Sequence, residues 1–289
     1  MSRLASTFAR LRAEGRLGLV TYTTAGDPSL ERSADVLDAL AHAGADVLEV
    51  GVPFSDPLAD GPVIQRATER AIAAGATLGK TLDLIAGVRS RIGAPIVLFT
   101  YANPVLRLGT EAFGARAGAA GVDGVLVLDL PVEEAGEFRN DMLTHGIDTI
   151  FLLSPTTTTA RIRRAAELGR GFLYAISRLG VTGARDTVAE GAKELAQRIR
   201  AETSLPLAVG FGISRPEHVR QVGEWADAAV VGSGLVSVIA EAGSGPDLIP
   251  KVESYVRWLK GDGGTHAYDD RRTPPADRSA RRTAGGAAQ

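Results

Sequence analysis

The chain has 289 residues, with 32 Lys and Arg against 34 Asp and Glu, for a formal net charge of −2. That balance excludes a nucleic-acid binder working by bulk charge, and 45% hydrophobic with 23% charged residues is the composition of a soluble globular protein with a large core. The absence of cysteine removes disulfides, thiolate metal sites and cysteine nucleophiles. No apolar run approaches the roughly 18 residues of a membrane span, and a cytoplasmic address is expected.

At the N-terminus, Leu4, Phe8 and Leu11 fall at helical spacing, which predicts a short amphipathic helix rather than a transit peptide. Eight short aliphatic and β-branched runs follow: Leu17 to Thr23, Asp46 to Gly51, Pro95 to Thr100, Gly124 to Leu128, Thr149 to Leu153, Gly171 to Ile176, Leu205 to Gly210 and Ala228 to Gly232. Between them lie segments with apolar residues at helical spacing: Leu30 to Ala43, Thr77 to Arg91, Val132 to Thr144, Ala160 to Leu168, Glu190 to Glu202 and Pro216 to Val222. Residues 262–289 contain no Val, Leu, Ile, Phe, Met or Trp, and their five Arg and four Asp nearly cancel, so a disordered, passive tail is expected there. The ordered catalytic domain is then 1–261.

Strand and helix alternation implies parallel strands with right-handed crossovers, buried on both faces, which accounts for runs such as VLVLDL. Eight repeats in about 250 residues predict a single (β/α)8 TIM barrel. A doubly wound sheet is the competing architecture, but Gly210-Phe-Gly212 and Gly232-Ser-Gly234 are too short for its dinucleotide fingerprint. GATLGKT at Gly75 to Thr81 is one residue short of a Walker loop and follows a helical pattern. The histidines His42, His145, His218 and His266 read as surface or helix-end imidazoles without metal spacing. No GxSxG elbow is present.

In such a barrel the active site lies at the C-terminal ends of the strands. Glu49 sits in an apolar run near the end of the second strand, where desolvation raises a carboxyl pKa toward general acid/base use; the competing reading is a structural Glu paired with Lys or Arg. The loop from Pro53 to Gly61 brings Asp60 to the same mouth. Two carboxylates in different environments can hold different roles. Glycines ending strands seven and eight, with Gly183 in a Gly-rich segment after strand six, suit backbone binding of a phosphate.

The stretch LEVGVPFSDPLADGPVIQ, Leu48 to Gln65, resembles the signature of the tryptophan synthase alpha chain family. GDP at Gly26, YANP at Tyr101, DLPVEE at Asp129, SRLGVTGAR at Ser177, GFGIS at Gly210 and VGSGLV at Val231 extend the resemblance over residues 16–260. It implies retro-aldol cleavage of indole-3-glycerol phosphate to indole and glyceraldehyde 3-phosphate, without metal or organic cofactor in this chain. Glu49 would then be the acid/base, and Asp60, ionised in a wetter loop, would bind the indole N–H. Tyr22, Tyr101, Leu128, Leu153 and Tyr174 would line the indole, Thr182 would meet Asp60 on loop closure, and Gly183, Gly212, Gly232 and Ser233 would cradle the phosphate. The resemblance also implies an alpha2-beta2 tetramer in which indole passes to a pyridoxal-phosphate beta chain, with Pro53, Asp56, Asn103 and Pro104 on the beta-facing side. Two departures stand out: Tyr22 occupies a position where Phe is more usual, and the tail exceeds the usual length. A free-standing indole lyase, another phosphate-binding barrel and a catalytically silent activator of a beta chain are the competing functions.

Overall fold

The computed structural model describes residues 1–176, 190–210 and 212–261. The strands are β1 (Gly18–Thr24), β2 (Val47–Gly51), β3 (Ile96–Thr100), β4 (Gly124–Val127), β5 (Asp148–Ile150), β6 (Leu152–Leu153), β7 (Leu173–Ile176), β8 (Leu207–Gly210) and β9 (Ala228–Val231). The helices of the first half are α1 (Arg3–Ala13), α2 (Leu30–His42), α3 (Pro62–Ala73), α4 (Leu78–Arg89), α5 (Ala102–Leu108) and α6 (Thr110–Ala120). Those of the second are α7 (Ala135–Thr144), α8 (Thr159–Leu168), α9 (Glu190–Glu202), α10 (Pro216–Gly223), α11 (Ser233–Ala242) and α12 (Leu248–Lys260).

All strand pairs are parallel, in the order β5-β4-β3-β2-β1-β9-β8-β7-β6. The two ends of that order are consecutive in the chain. The fifth of the eight expected strands is interrupted at Phe151, whose carbonyl accepts from the Tyr174 N–H at 3.0 Å, so one broken strand pairs with β4 through its first half and β7 through its second. The ring is thereby the expected (β/α)8 barrel.

Side-chain alternation divides the core into two shells. Leu19, Leu48, Val50, Leu98 and Val125 face outward against the helices, while Val20, Val47, Val97, Leu126, Ile150 and Phe172 fill the barrel. The N-terminal helix forms as its spacing predicts, and Leu4, Phe8 and Leu11 close the bottom of the inner shell, with Phe8 and Phe172 ring centroids 5.4 Å apart. Aspartates at the strand starts fix this end. Leu19, Ile96 and Leu207 donate their backbone N–H groups to Asp46 (3.0 Å), Asp123 (2.8 Å) and Asp227 (2.7 Å). The N-terminal segment reaches each of them, and a fourth: Arg16 clasps Asp46 at 2.8 and 3.0 Å, Arg3 pairs with Asp123, Arg12 lies 3.7 Å from Asp227, and the Ser2 hydroxyl donates to Asp148. A cleft of about 570 Å³ opens here, lined by Arg10, Arg16, His42, Arg91 and Lys260 among others. Arg10 and Arg16 lie against Asp46, Arg91 pairs with Asp38, Lys260 donates to the Gly44 carbonyl and His42 Nδ1 lies 2.7 Å from the Asp38 backbone carbonyl; the cleft faces away from the strand C-termini.

Local chemistry explains the joints. Ser29, Thr77 and Thr158 cap α2, α4 and α8 by accepting from backbone N–H groups three residues on. GATLGKT is accordingly a helix–helix connection: Gly75 takes φ +79° after α3, and Thr77 starts α4. Asp27 of the GDP motif is buried and held by Arg70 on α3 at 2.8 and 2.9 Å. No single helix among the described residues is long and apolar enough to cross a membrane.

Candidate active site

At the C-terminal ends of the strands, the β1–β2 register sets Tyr22 beside Glu49 and Thr24 beside Gly51. Glu49 is 1% exposed, and neither of its buried carboxylate oxygens has a hydrogen-bond partner among the described residues. Among the described residues no Lys or Arg neutralises it, as a structural Glu would require. Desolvation alone pushes its pKa to about 8.

Asp60 ends the loop between β2 and α3. It is 6% exposed, which corrects the expectation of a wetter loop, and burial raises its pKa to about 6. Tyr101 limits that rise by donating its hydroxyl to Asp60 Oδ2 at 3.1 Å. The same hydroxyl accepts from the Ala59 N–H at 3.1 Å, and the Tyr101 ring stacks on Phe54 with centroids 5.1 Å apart. The loop is thus pinned to the end of β3. At neutral pH the two carboxyls stand in opposite states, Glu49 mostly protonated and Asp60 mostly ionised, although both are buried.

The other expected wall residues divide. Tyr22 and Tyr174 lie inside the barrel, each buried so that its phenol is pushed well above its ordinary pKa and stays protonated. Glycines make room for both. A Cβ at Gly51 would lie 2.2 Å from the Tyr22 hydroxyl, and one at Gly210 would lie 2.4 Å from that of Tyr174. The additional hydroxyl of Tyr22 finds Thr24 Oγ1 at 3.5 Å, and its ring meets Phe99 edge-on at 5.3 Å. Leu128 packs on the inner shell. Leu153 does not: it points into the outer shell, and Leu152 takes the inward place, because alternation at the broken fifth strand puts neighbours on opposite faces. Phe99, Leu152, Thr24 and Gly51 are site residues absent from the sequence reading. Counting alternate residues from Glu49 identifies Gly51, and applying the same parity to β1 from Tyr22 identifies Thr24.

Gly212 adopts φ +79°, and Gly232 caps the N-terminus of α11, whose first residue is Ser233. Thr182 and Gly183 lie outside the described residues, as do the rest of the segment from Ser177 and the tail 262–289. On the rim, Asp56 and Asn103 are exposed, Pro104 is half-buried and Pro53 is buried. Asn103 and Pro104 belong to the first turn of α5, where the Ala102 N–H donates to Asp129 at 2.6 Å. Among the histidines, His42 and His145 stand at helix ends, but His218 is buried in the first turn of α10, its Nδ1 3.4 Å from the Ser214 N–H.

The tryptophan synthase alpha chain family model matches residues 8–258. The chain belongs to this family. The tryptophan synthase alpha chain of Solibacter usitatus is 47% identical over 267 residues, 92% of this chain and 100% of that one. That of Geobacter sulfurreducens is 50% identical over 260 residues, 90% and 98% of the respective chains. Among solved structures, tryptophan synthase subunit alpha from Legionella pneumophila superposes with a TM-score of 0.83 at 36% identity, covering 91% of this chain and 98% of that one. The Mycobacterium tuberculosis tryptophan synthase gives 0.84 at 37%, with coverage of 90% and 98%.

Proposed function

We propose that the barrel mouth cleaves indole-3-glycerol phosphate to indole and glyceraldehyde 3-phosphate, as the alpha subunit of an alpha2-beta2 tryptophan synthase in the cytoplasm. The observation that carries the residue roles is a pair of buried carboxyls on one rim in different surroundings, Glu49 without a hydrogen-bond partner among the described residues and Asp60 held by the Tyr101 hydroxyl. Protonated Glu49 donates to ring C3 and, as carboxylate, takes the proton of the adjacent side-chain hydroxyl. The bond between C3 and the side chain then breaks, its electron pair returns to the ring, and the alcohol carbon becomes the aldehyde. Protons balance, so no oxidant or organic cofactor is required of this chain; pyridoxal phosphate belongs to the beta partner. Ionised Asp60 accepts from the indole N–H and offsets the positive charge that C3 protonation places on the ring.

The phosphate is assigned to the backbone N–H groups at the start of α11 with Gly232, Ser233, Gly212 and Gly183; helix polarity and the lack of a side-chain cap among the described residues favour an anion there. Exposed apolar residues support a partner surface beside the mouth: Leu58 in the Asp60 loop is 92% exposed and Leu106 on α5 is 66% exposed. Asp56 and Asn103 flank them.

The test is indole release by the full chain with and without a beta chain, alongside Glu49→Gln and Asp60→Asn. Turnover that rises with the beta chain and falls at least 10³-fold in Glu49→Gln is expected. High turnover indifferent to the beta chain would indicate a free-standing lyase, and no indole under any condition would sink the reading.

A further inference from the structure

We propose that Tyr255 is a positioning residue for the phosphate cradle, its hydroxyl setting the spacing between the loop after β8 and the first turn of α11. The inference rests on the assignment of the substrate phosphate to those two backbone segments. Tyr255 itself belongs to the outer shell of the core, on the far side of the strands from the barrel interior, and acts only through the backbone it holds.

The two segments come from different strands. Gly212 and Ser214 follow β8, whereas Gly232 follows β9 and Ser233 and Gly234 open α11. An anion shared by N–H groups from both needs them at a fixed separation, because N–H···O bonds hold only over about 2.7–3.2 Å. Tyr255 supplies a tie between them. It lies on α12, which packs against α10 and α11, and it is 3% exposed, its ring 5.7 Å from that of Trp258. Its hydroxyl donates to the Ser214 carbonyl at 3.0 Å. The same oxygen lies 2.3 Å from where a Cβ on Gly234 would stand, and Ser214 Cβ lies 3.3 Å from that point. The phenol oxygen is therefore wedged between loop and helix, bonded to the first and pressed against the second, in room that glycine at position 234 leaves open. His218 holds the loop from the other side, its Nδ1 3.4 Å from the Ser214 N–H, so both backbone groups of Ser214 are engaged.

The experiment follows aldehyde release from indole-3-glycerol phosphate by the full chain, with glycerol 3-phosphate and indole as separate inhibitors. Glycerol 3-phosphate reports on the phosphate cradle and indole on the rest of the pocket. The proteins are wild type, Tyr255→Phe, Gly234→Ala and the double variant. Tyr255→Phe is expected to raise KM and the glycerol 3-phosphate inhibition constant together, roughly three- to tenfold for one neutral hydrogen bond, with kcat and the indole constant changed by less than about twofold. Gly234→Ala drives a methyl group into the phenol oxygen and is expected to raise the glycerol 3-phosphate constant as well. With that oxygen removed, the nearest neighbours of the methyl are Ser214 Cβ at 3.3 Å and the ring Cζ at 3.4 Å, so the same substitution costs less in Tyr255→Phe than in wild type. An unchanged glycerol 3-phosphate constant in Tyr255→Phe, an equal rise for glycerol 3-phosphate and indole, or independent effects in the double variant would overturn the inference while leaving the lyase reading intact. No aldehyde from the wild-type chain would remove the lyase reading, and this inference with it.

Discussion

The Tyr101 hydroxyl donates to Asp60 Oδ2 at 3.1 Å while accepting from the Ala59 N–H at the same distance, so one phenol fixes both the carboxylate and the loop that carries it. A hydrogen bond to the ionised form lowers a carboxyl pKa, and its loss raises it. In Tyr101→Phe the Asp60 pKa is expected to rise above its value of about 6, moving the acidic limb of the kcat/KM profile to higher pH. Turnover at pH 7 is expected to fall roughly five- to tenfold, for the loss of one charge-assisted bond. A pH profile that keeps its acidic limb in place would count against this positioning role.

Ionised Asp60 and protonated Glu49 coexist between about pH 6 and about pH 8, so a bell-shaped kcat/KM profile with limbs near those values is expected. Glu49 also couples to stability. Its folded pKa of about 8 lies above the ordinary carboxyl value, so the unfolded chain releases this proton first and stability is lost as pH rises toward 8. Glu49→Gln has no such proton to lose. Urea unfolding at pH 5 and pH 9 is expected to show the stability of Glu49→Gln relative to wild type growing by on the order of 3 kcal/mol with pH. A gap that does not change with pH would show that the buried carboxyl is neutralised in some other way.

Gly51 and Tyr22 share one space. In Gly51→Ala the new Cβ would stand 2.2 Å from the phenol oxygen and 2.7 Å from Cζ, so removing the hydroxyl alone does not relieve the contact. The substitution is expected to cost about 1–3 kcal/mol, as overpacking does, and less in a Tyr22→Leu background. A double-mutant cycle by urea unfolding that shows simple additivity would refute the coupling.

The exposed pair Leu58 and Leu106 gives the partner surface its own test. Leu58→Ser and Leu106→Ser are each expected to weaken association with a beta chain about tenfold, leaving the stability of the isolated chain within roughly 0.5 kcal/mol of wild type. Sedimentation of the mixed chains measures the first and urea unfolding the second. Unchanged association in both variants, and in Asp56→Ala, would place the interface elsewhere.

The barrel was legible in the sequence because parallel strands buried on both faces leave unbroken aliphatic runs, and eight such runs admit few other closures. Glu49 stood out for the same reason, as a carboxyl inside one of those runs. What misled was local. The interruption at Phe151 depends on how β4 and β7 pair with the two halves of one strand, which no pattern within that strand encodes, and it hid which of Leu152 and Leu153 faces inward. The burial of Asp60 goes with the loop being held by Tyr101, a contact between residues 41 apart in the chain. The prolines and aspartates of PFSDPLADGP suggest an open, wet loop only when read without that contact.

The latch beneath the barrel bears on the order in which the molecule can be made. The segment of α1 leaves the ribosome before every strand of the barrel, yet its hydroxyl and guanidinium partners are at Asp123, Asp148 and Asp227, the Ser2 contact alone spanning 146 residues. While the chain is being synthesised, Leu4, Phe8 and Leu11 have no completed ring to cover. A segment translated ahead of the strands is therefore seated after them, and the barrel's floor closes only once the final strand has been translated.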